Sequence, residues 1–464
     1  MSRSSGTPAL RARRAALAVA TTVAMTAHLN GFAQGPAHLA SQAAPVTALP
    51  GGESVVMALD SDQAVRLAIA RSQRVVANEA VIDASRARAI AAGKRPDPMF
   101  TTGLQGVPLN GPDRGKLHND SFTMTAFGIK QELTSRDKLA ARSERYEREA
   151  ESGAAARTLS IVEIARDTRL AWLALSFLDS ADVLLEEVER EVGHHLEAVD
   201  AAYRGGRGTQ GESVALRIEL ERIADRRREN ARDHAVAQAR LERWVGAAAS
   251  LPLAPRAPLA SESAATAIEP DLLRSVDAHP ALARLRAQQA SARAEVEVAR
   301  TERSADWSVE LAVGIRRPTF SNLGTVNFSI PITWNRADRQ DREVAARLSE
   351  ADAAAAEVEE ARRIAVSDLR QAREGWQHEQ DRLTRYDEAF IPLAAQRSSA
   401  ALAAWRGGAG TLGAVLEAHH AEIETRLDQL KLERELAEMS VQLDYWLSAN
   451  KREAATGLRQ GNDR

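Results

Sequence analysis

Two pairs of adjacent histidines are the residues in this sequence whose type best suits metal chemistry. They are His194-His195 and His419-His420, and each pair lies near a glycine-rich turn. Neutral imidazole is a good ligand for Zn²⁺, Co²⁺ and Cu²⁺. Adjacent residues of a helix point about 100° apart, so neither pair chelates a metal alone, and the i,i+4 spacing is absent. The favoured interpretation is a solvated helix face, with metal binding as the alternative.

A glycine-rich stretch at 206–213 has the spacing of a phosphate-binding loop but not its chemistry. Glu212 stands where that loop needs its lysine, and no strand precedes the stretch. A carboxylate at this place would repel phosphate, which excludes nucleotide binding. The chain has no cysteine and no Ser-His-Asp, paired-carboxylate or metal-hydrolase motif. The sequence therefore predicts neither an enzyme nor a cofactor.

The composition indicates long helices rather than a compact globular core. Of the 464 residues, 44% are hydrophobic, 27% are charged and only 4% are aromatic. Many Ala, Glu, Arg and Leu residues with few Gly favour long helices that pack closely side by side. The net charge of −3 excludes the strongly basic field of a nucleic-acid-binding protein.

Residues 1–33 have the pattern of a secretory signal peptide. Arg11, Arg13 and Arg14 precede the apolar stretch 15–27, and Gly31-Phe-Ala33 forms a small-x-small cleavage site. A disordered alanine-rich leader is the alternative. No later apolar run reaches about 18 residues, so we expect no transmembrane helix, and the missing cysteine excludes a lipidated N-terminus. The pattern predicts an exported, non-lipidated protein.

The remaining chain contains a tandem duplication of about 200 residues. The segment Tyr203-Arg-Gly-Gly-Arg-Gly-Thr209 recurs as Trp405-Arg-Gly-Gly-Ala-Gly-Thr411, and Leu443 repeats Leu241 at the same offset. Such a steady offset indicates two copies of one unit. The predicted segments are an N-terminal segment at 34–58, repeat 1 at 59–246, a linker at 247–268, repeat 2 at 269–449 and a disordered tail at 450–464.

Each repeat has the same predicted order of elements. A run of about 68 helical residues spans about 100 Å, which no compact domain accommodates. The 4-3-4-3 spacing from Ile161 to Leu175 is typical of a coiled-coil seam. The predicted elements are a first helix (61–95 and 270–304), a non-helical region (98–133 and 306–334), a very long helix (135–202 and 337–404) and a last helix (211–246 and 413–448).

The non-helical regions alternate apolar and polar residues with the period of a β-strand. The pattern is clear at 307–315 and 326–334, weaker at 121–133, and poorest at 99–107. Strands of about ten residues with one apolar face fit a transmembrane β-barrel. Two ordinary hairpins that cap a helical bundle are the alternative. Four strands cannot close a barrel, so a membrane location requires several chains to pool their strands.

This duplicated plan resembles the TolC-like outer-membrane factors, the exit ducts of tripartite efflux pumps. The resemblance rests on the two Gly-rich turns, on the helix ends 241–246 and 443–446, and on Phe328-Ser-Ile-Pro-Ile-Thr-Trp334. The stretches 306–310 and 334–342 are most similar to the heavy-metal branch, the CzcC-like and CusC-like ducts. The resemblance covers residues 59–449.

The resemblance implies a mostly α-helical fold with a membrane β-barrel portion. Four strands from each chain would complete a 12-stranded barrel in a homotrimer, embedded in outer-membrane lipid. A coiled-coil helical tunnel would continue the barrel through the periplasm. The implied partners are a periplasmic adaptor (a membrane fusion protein) and a proton-driven inner-membrane RND transporter.

The resemblance also assigns roles to residues at the two turns. The turns would form the periplasmic tip that meets the adaptor, although turning the chain is a sufficient role for their glycines. Acidic residues after the turns would narrow the tunnel: Glu417 and Glu212 match such positions, whereas Ala414 replaces an expected acid. A favourable helix-start position is the alternative role for these glutamates. The implied tip residues are Tyr203, Gly206, Gly208, Thr209, Trp405, Gly408, Gly410 and Thr411.

Together these features predict an outer-membrane exit duct of an RND-type efflux pump. Heavy-metal cations such as cobalt, zinc, cadmium or copper are the expected substrates. The first alternative is the same duct serving drugs or organic solutes. The second is an exported coiled-coil scaffold without pore activity.

Overall fold

The computed structural model of the chain describes residues 58–117, 121–206, 208–256 and 269–461. The predicted signal peptide and most of the N-terminal segment and linker lie outside these residues. Among the described residues, no helix is long and apolar enough to cross a membrane.

The two halves have the same order of elements. The first half contains α1 (Ser61–Arg71), α2 (Gln73–Ala92), β1 (Met99–Gln105), β2 (Met124–Leu133), α3 (Arg136–Arg204) and α4 (Gln210–Val245), then a 3-10 turn at Gly246–Ser250. The second contains α5 (Glu269–Ala278), α6 (Pro280–Thr301), β3 (Trp307–Ile315), β4 (Leu323–Ser329), α7 (Gln340–Arg385), a π-helical turn at Tyr386–Phe390, α8 (Ile391–Arg406) and α9 (Leu412–Gly461). The 69 residues of α3 extend about 100 Å.

The first helix of each half is broken, where the sequence predicts one continuous helix. At Ser72 the backbone is extended, and the Ser72 hydroxyl accepts a hydrogen bond from the amide of Val75. At the equivalent place His279 Nδ1 accepts from the amide of Ala281 at 3.2 Å, and Pro280 begins α6. Side chains that satisfy the first amides of a helix stabilise a new start there. Both breaks are therefore capped helix starts.

The second very long helix is also interrupted, at a π-helical turn that has no counterpart in α3. The amide of Ile391 donates to the carbonyl of Tyr386, five residues back. Pro392 follows, and proline has no amide hydrogen to continue the i to i−4 ladder. The wider turn fits the helix to this proline, so the predicted run 337–404 becomes α7, the π-turn and α8.

Two predicted boundaries also shift. The strand predicted at 326–334 is β4 at Leu323–Ser329, because Pro331 has no amide hydrogen for a ladder. The last helix does not end near residue 448 but continues to Gly461, through the region predicted to be a disordered tail. Lys, Arg, Glu and Ala, which predominate just after residue 450, are good helix formers.

The four strands form one antiparallel sheet in the order β1-β2-β3-β4. Its central pair joins the two halves, with Ile129 of β2 opposite Leu311 of β3. Strands β1 and β4 are the outer strands, paired with β2 and β3 respectively. The sheet is therefore a shared element that neither repeat forms alone.

Each repeat has its own helical core, and a third apolar cluster connects them. The first core includes Trp172 and Leu241, and the second includes Trp376 and Leu443. Each tryptophan indole is satisfied: Trp172 Nε1 donates to the Leu59 carbonyl, and Trp376 Nε1 to the Ser440 hydroxyl, both at 2.9 Å. The third cluster, near the glycine-rich turns, joins α3 and α4 to α8 and α9: Val188, Val192, Val199, Leu216, Ile223, Leu412, Val415 and Ile423, with Leu402 packed against them.

Candidate functional site

One face of the sheet is apolar and exposed. Phe100, Ile129, Leu311 and Val326 form a row across all four strands, and each side chain is more than half accessible. Other members of this face are Phe127, Trp307, Val313 and Phe328. Contiguous exposed apolar surface of this kind marks contact with a membrane or another protein. The helices thus leave the apolar face uncovered. In hairpins that cap a helical bundle, this face would instead be buried against the helices.

The opposite face of the sheet is small and polar. Glu310 lies at its centre, where Thr101 Oγ1 donates to Oε1 at 2.9 Å and Asn327 Nδ2 donates to Oε2 at 3.4 Å. Gly128 and Ala312 are cross-strand neighbours on this face. The strands therefore separate an apolar from a polar environment, which is the pattern of a barrel wall between lipid and an aqueous lumen.

A buried ion pair fixes the sheet to the helices. Lys138 Nζ, at the start of α3, lies 2.7 Å from Asp306 Oδ2, just before β3. The two side chains are 5% and 17% exposed. Sequence analysis missed this pair, because nothing in the sequence relates two residues 168 positions apart.

The two predicted tip turns have the same backbone geometry. Gly206 and Gly408 occupy the left-handed region with φ of 70° and 74°. At Gly208 and Gly410 a Cβ would lie 3.1 Å from the backbone nitrogen of Tyr203 and Trp405 respectively. The glycines are thus required by the turns themselves, whatever they contact.

The turns differ in what their aromatic residues do. Tyr203 is 47% exposed, whereas Trp405 is half-buried and packs against the cluster that contains Leu412 and Val415. Thr209 and Thr411 are the N-caps of α4 and α9: their hydroxyls accept from the amides of Glu212 and Ala414, both at 3.3 Å. Of the two aromatic tip residues, Tyr203 is the more available for contact.

Gly206→Ala is expected to loosen the first turn, because an L-residue in the left-handed region costs about 1–2 kcal/mol. Trypsin cleavage after the exposed Arg204 should accelerate about 5- to 30-fold, the population change that this cost represents. Gly211→Ala is the matched control, since Gly211 is the second residue of α4 without a positive φ, and a Cβ there would meet only Thr209 Oγ1 at 3.9 Å, an ordinary contact. Equal cleavage rates in the two variants would contradict the requirement for glycine at position 206.

The predicted constriction glutamates lie in different environments. Glu212 Oε2 accepts from the amide of Thr209 at 2.8 Å and completes a capping box, which is the helix-start role. Ala414 holds the equivalent place and cannot make this bond. Glu417 is exposed and pairs with Arg397 of α8 at 2.7 Å. Arg397 and Glu417 lie the same number of positions before and after Gly407, on the two helices that this turn connects. Sequence analysis nevertheless missed Arg397 as the partner of Glu417.

The two histidine pairs meet across the repeats instead of lying on separate solvated faces. His419 is 6% exposed, and its ring lies 6.3 Å from that of His195, centroid to centroid. His420 is half-buried, and only His194 is fully solvated. The reason is tertiary: α9 packs on α3 and brings the second pair against the first. Within the described ranges, no group of three or more His, Asp or Glu residues is arranged to hold a metal ion.

Several solved structures of outer-membrane channels resemble this chain. No family model and no curated protein matches the sequence. The outer-membrane channel OprN matches with a TM-score of 0.70 and 16% identity, over 84% of this chain and 90% of OprN. CusC matches with a TM-score of 0.70 and 15% identity, over 83% and 91% of the two chains. The outer membrane protein VceC from Vibrio cholerae gives 0.68 and 14%, over 83% and 95%.

This chain has the fold of these outer-membrane channels. The TolC-like fold predicted from its motifs is thereby confirmed: long paired helices in two repeats, with a four-stranded antiparallel sheet.

Proposed function

We propose that this protein is the outer-membrane exit duct of a tripartite RND-type efflux pump. The observation that carries the proposal is the two-sided sheet. Its apolar face is exposed, and polar side chains on its other face form hydrogen bonds to Glu310. Helices of about 100 Å extend from it, long enough to reach far into the periplasm. Channels of the same fold, such as OprN, are outer-membrane proteins.

The proposed duct contains three chains. Among the described residues, β1 and β4 each have one strand neighbour, so each has an edge of unpaired backbone groups. Hydrocarbon offers no hydrogen bonds to such an edge. Pairing β4 of one copy with β1 of the next removes every edge when the ring closes. The resemblance to TolC-like channels indicates closure at twelve strands, which is a homotrimer.

The proposed substrates are heavy-metal cations, and the proposed partners are a periplasmic adaptor and an inner-membrane RND transporter. Support comes from the stretches 306–310 and 334–342, which resemble the heavy-metal branch, and from the fold of CusC. The exposed Tyr203 is the first candidate for adaptor contact, together with the rest of its turn. Energy for transport comes from the transporter, so the duct needs no catalytic residue.

Membrane fractionation and planar-bilayer recording test the duct. The protein should require detergent for extraction, sediment with the outer membrane and conduct ions in a bilayer. An exported scaffold without a pore would be released as a soluble periplasmic protein and would not conduct. That outcome would overturn the proposal.

Deletion of the gene tests the substrate class. Sensitivity to Zn²⁺, Co²⁺, Cd²⁺ and Cu⁺ should rise, and the intact gene should restore resistance. Unchanged metal sensitivity with increased drug sensitivity would favour a duct for organic solutes instead.

Glu417 is proposed to narrow the duct as a threefold ring of carboxylates. Glu417→Gln should lower the ratio of cation to anion permeability about sevenfold, because a potential change of one kT per elementary charge changes the two permeabilities by opposite Boltzmann factors of about 2.7 each. Arg397→Gln should raise the same ratio, because it removes the positive partner 2.7 Å from the carboxylate. Single-channel reversal potentials in a salt gradient measure both. If both variants keep the wild-type ratio, the pair does not line the conducting path.

A further inference from the structure

A cluster of histidines and carboxylates joins the two repeats near the tip turns. His419 and His420 lie on α9, between α3 on one side and α4 on the other. His419 Nε2 lies 3.9 Å from Glu191 Oε2 of α3, and His420 Nδ1 lies 3.6 Å from Glu219 Oε1 of α4. His420 Nε2 also lies 3.7 Å from Glu424 Oε1 on its own helix. We call His195, His419, His420, Glu191, Glu219 and Glu424 the histidine clasp.

Two imidazole nitrogens of the clasp are buried without a hydrogen-bond partner. They are Nε2 of His419 and Nδ1 of His420, and each is directed at a carboxylate of the first repeat. A buried polar atom left unpaired costs free energy, and native structures contain few of them. Protonation places an N–H on both ring nitrogens, so the imidazolium form supplies donors to both facing carboxylates.

The surrounding charges leave these carboxylates able to accept. Arg222 contacts Glu219 at 3.2 Å from the solvent side, and Arg226 of α4 pairs with Glu424. On α9 itself, Glu422 is paired with Arg426 at 2.6 Å. From α8, Arg406 brings a positive charge near the ring of His195, the histidine of α3 that faces His419.

We propose that the histidine clasp is a protonation-dependent contact that holds α9 against α3 and α4, and so keeps the two helical hairpins of the tip together in acid. Only the protonated rings of His419 and His420 can donate to the facing carboxylates of Glu191, Glu219 and Glu424 from both nitrogens. When the rings are neutral, the hairpins separate more readily. The consequence for the opening of a pore rests on the proposed channel function, but the helix movement does not.

The direction of the effect follows from the partners. Imidazoles that gain carboxylate partners stabilise the clasped state when they are protonated, and this contribution is lost when they are neutral. His195 acts in the opposite sense. Burial lowers the pKa of His195, so this ring favours the clasped state when neutral and does not repel His419 until the pH is low.

Spin labels on the two hairpins measure the movement directly. The chain has no cysteine, so Gly211→Cys and Gly413→Cys give the only two thiols. These positions are equivalent in the two repeats and exposed, and a Cβ at either one would meet only a threonine hydroxyl at 3.9 Å, which is an ordinary contact. Pulsed dipolar spectroscopy on full-length protein in detergent, diluted with unlabelled chain, reports the separation within one chain.

Two distances between the labels are compared: a short one with the hairpins together and a long one with the hairpins apart. The ratio of the short-distance to the long-distance population should rise about fivefold from pH 8 to pH 5, the factor expected for partly exposed charge pairs. His419→Gln with His420→Gln should abolish this dependence, and His420→Arg should favour the short separation at both pH values. His194→Gln is the matched control. The His194 side chain is exposed and lies outside the histidine clasp, so this variant should behave as the unmodified chain. Circular dichroism establishes that each variant is folded.

Two results would overturn the proposal: a separation that does not change with pH, or an equal change in the double glutamine variant. Loss of conductance with the pH-dependent separation intact would instead count against the channel function alone. The two failures are therefore distinguishable.

Discussion

Val326→Arg is expected to prevent the protein from assembling in the outer membrane. Val326 lies at the centre of β4 on the apolar face, in one row with Leu311 and Ile129. An arginine facing lipid near the bilayer midplane costs about 2–4 kcal/mol per chain, and the proposed trimer would carry three of them. We expect at least a tenfold loss of protein in the outer-membrane fraction, measured by immunoblotting of separated membranes.

Thr325→Arg is the matched control for this change. Thr325 is the preceding residue of the same strand, is equally exposed in the single chain and lies on the polar face opposite Ala312. A barrel places this side chain in water, so the variant should assemble normally. Equal loss in both variants would show that β4 tolerates no arginine at all, and equal assembly would show that the apolar face does not meet lipid.

Lys138→Ala is expected to destabilise the junction between sheet and helices by about 1–3 kcal/mol, because the Asp306 carboxylate, which is only 17% exposed, loses its charged hydrogen-bond partner. Urea unfolding of the detergent-solubilised protein, followed by circular dichroism, should show a lower midpoint than the unmodified chain.

A second variant separates the buried charge from the loss of the lysine itself. Lys138→Met with Asp306→Leu removes both charges and should restore most of the stability, since an apolar pair of similar volume replaces a buried ion pair well. Lys116→Ala is the control for an exposed pair: its partner Asp113 is 3.6 Å away in solvent, and the cost should stay below about 1 kcal/mol. An equally small effect of Lys138→Ala would mean that water reaches Asp306.

Much of the architecture was predictable because it follows from local periodicity. The seam from Ile161 to Leu175 predicted α3, and the alternation at 307–315 predicted β3 with the same bounds. The three helix interruptions, which the periodicity does not predict, have local causes as well. Ser72 and His279 cap new helix starts, and Pro392 lacks the amide hydrogen that a continuous helix needs.

The site was less predictable, because its geometry comes from contacts between the repeats. Sequence comparison identified the glycines of the turns, and their φ values explain why glycine is needed there. It did not indicate that His419 is buried against α3, because burial of a helical residue depends on which neighbour covers it. The adaptor contacts and the constriction remain predictions.

The sequence by itself determined the duplication, the long helices, the amphipathic strands and the positions of the turns, since each depends on the spacing of residues along one segment. Only the tertiary structure decided which residues meet across segments. Glu310 with Thr101, Lys138 with Asp306, and His419 with Glu191 all join the two halves of the chain. Such pairs form because helices and strands that are distant in sequence pack together. Neither the composition nor the periodicity of a segment predicts which other segment it packs against.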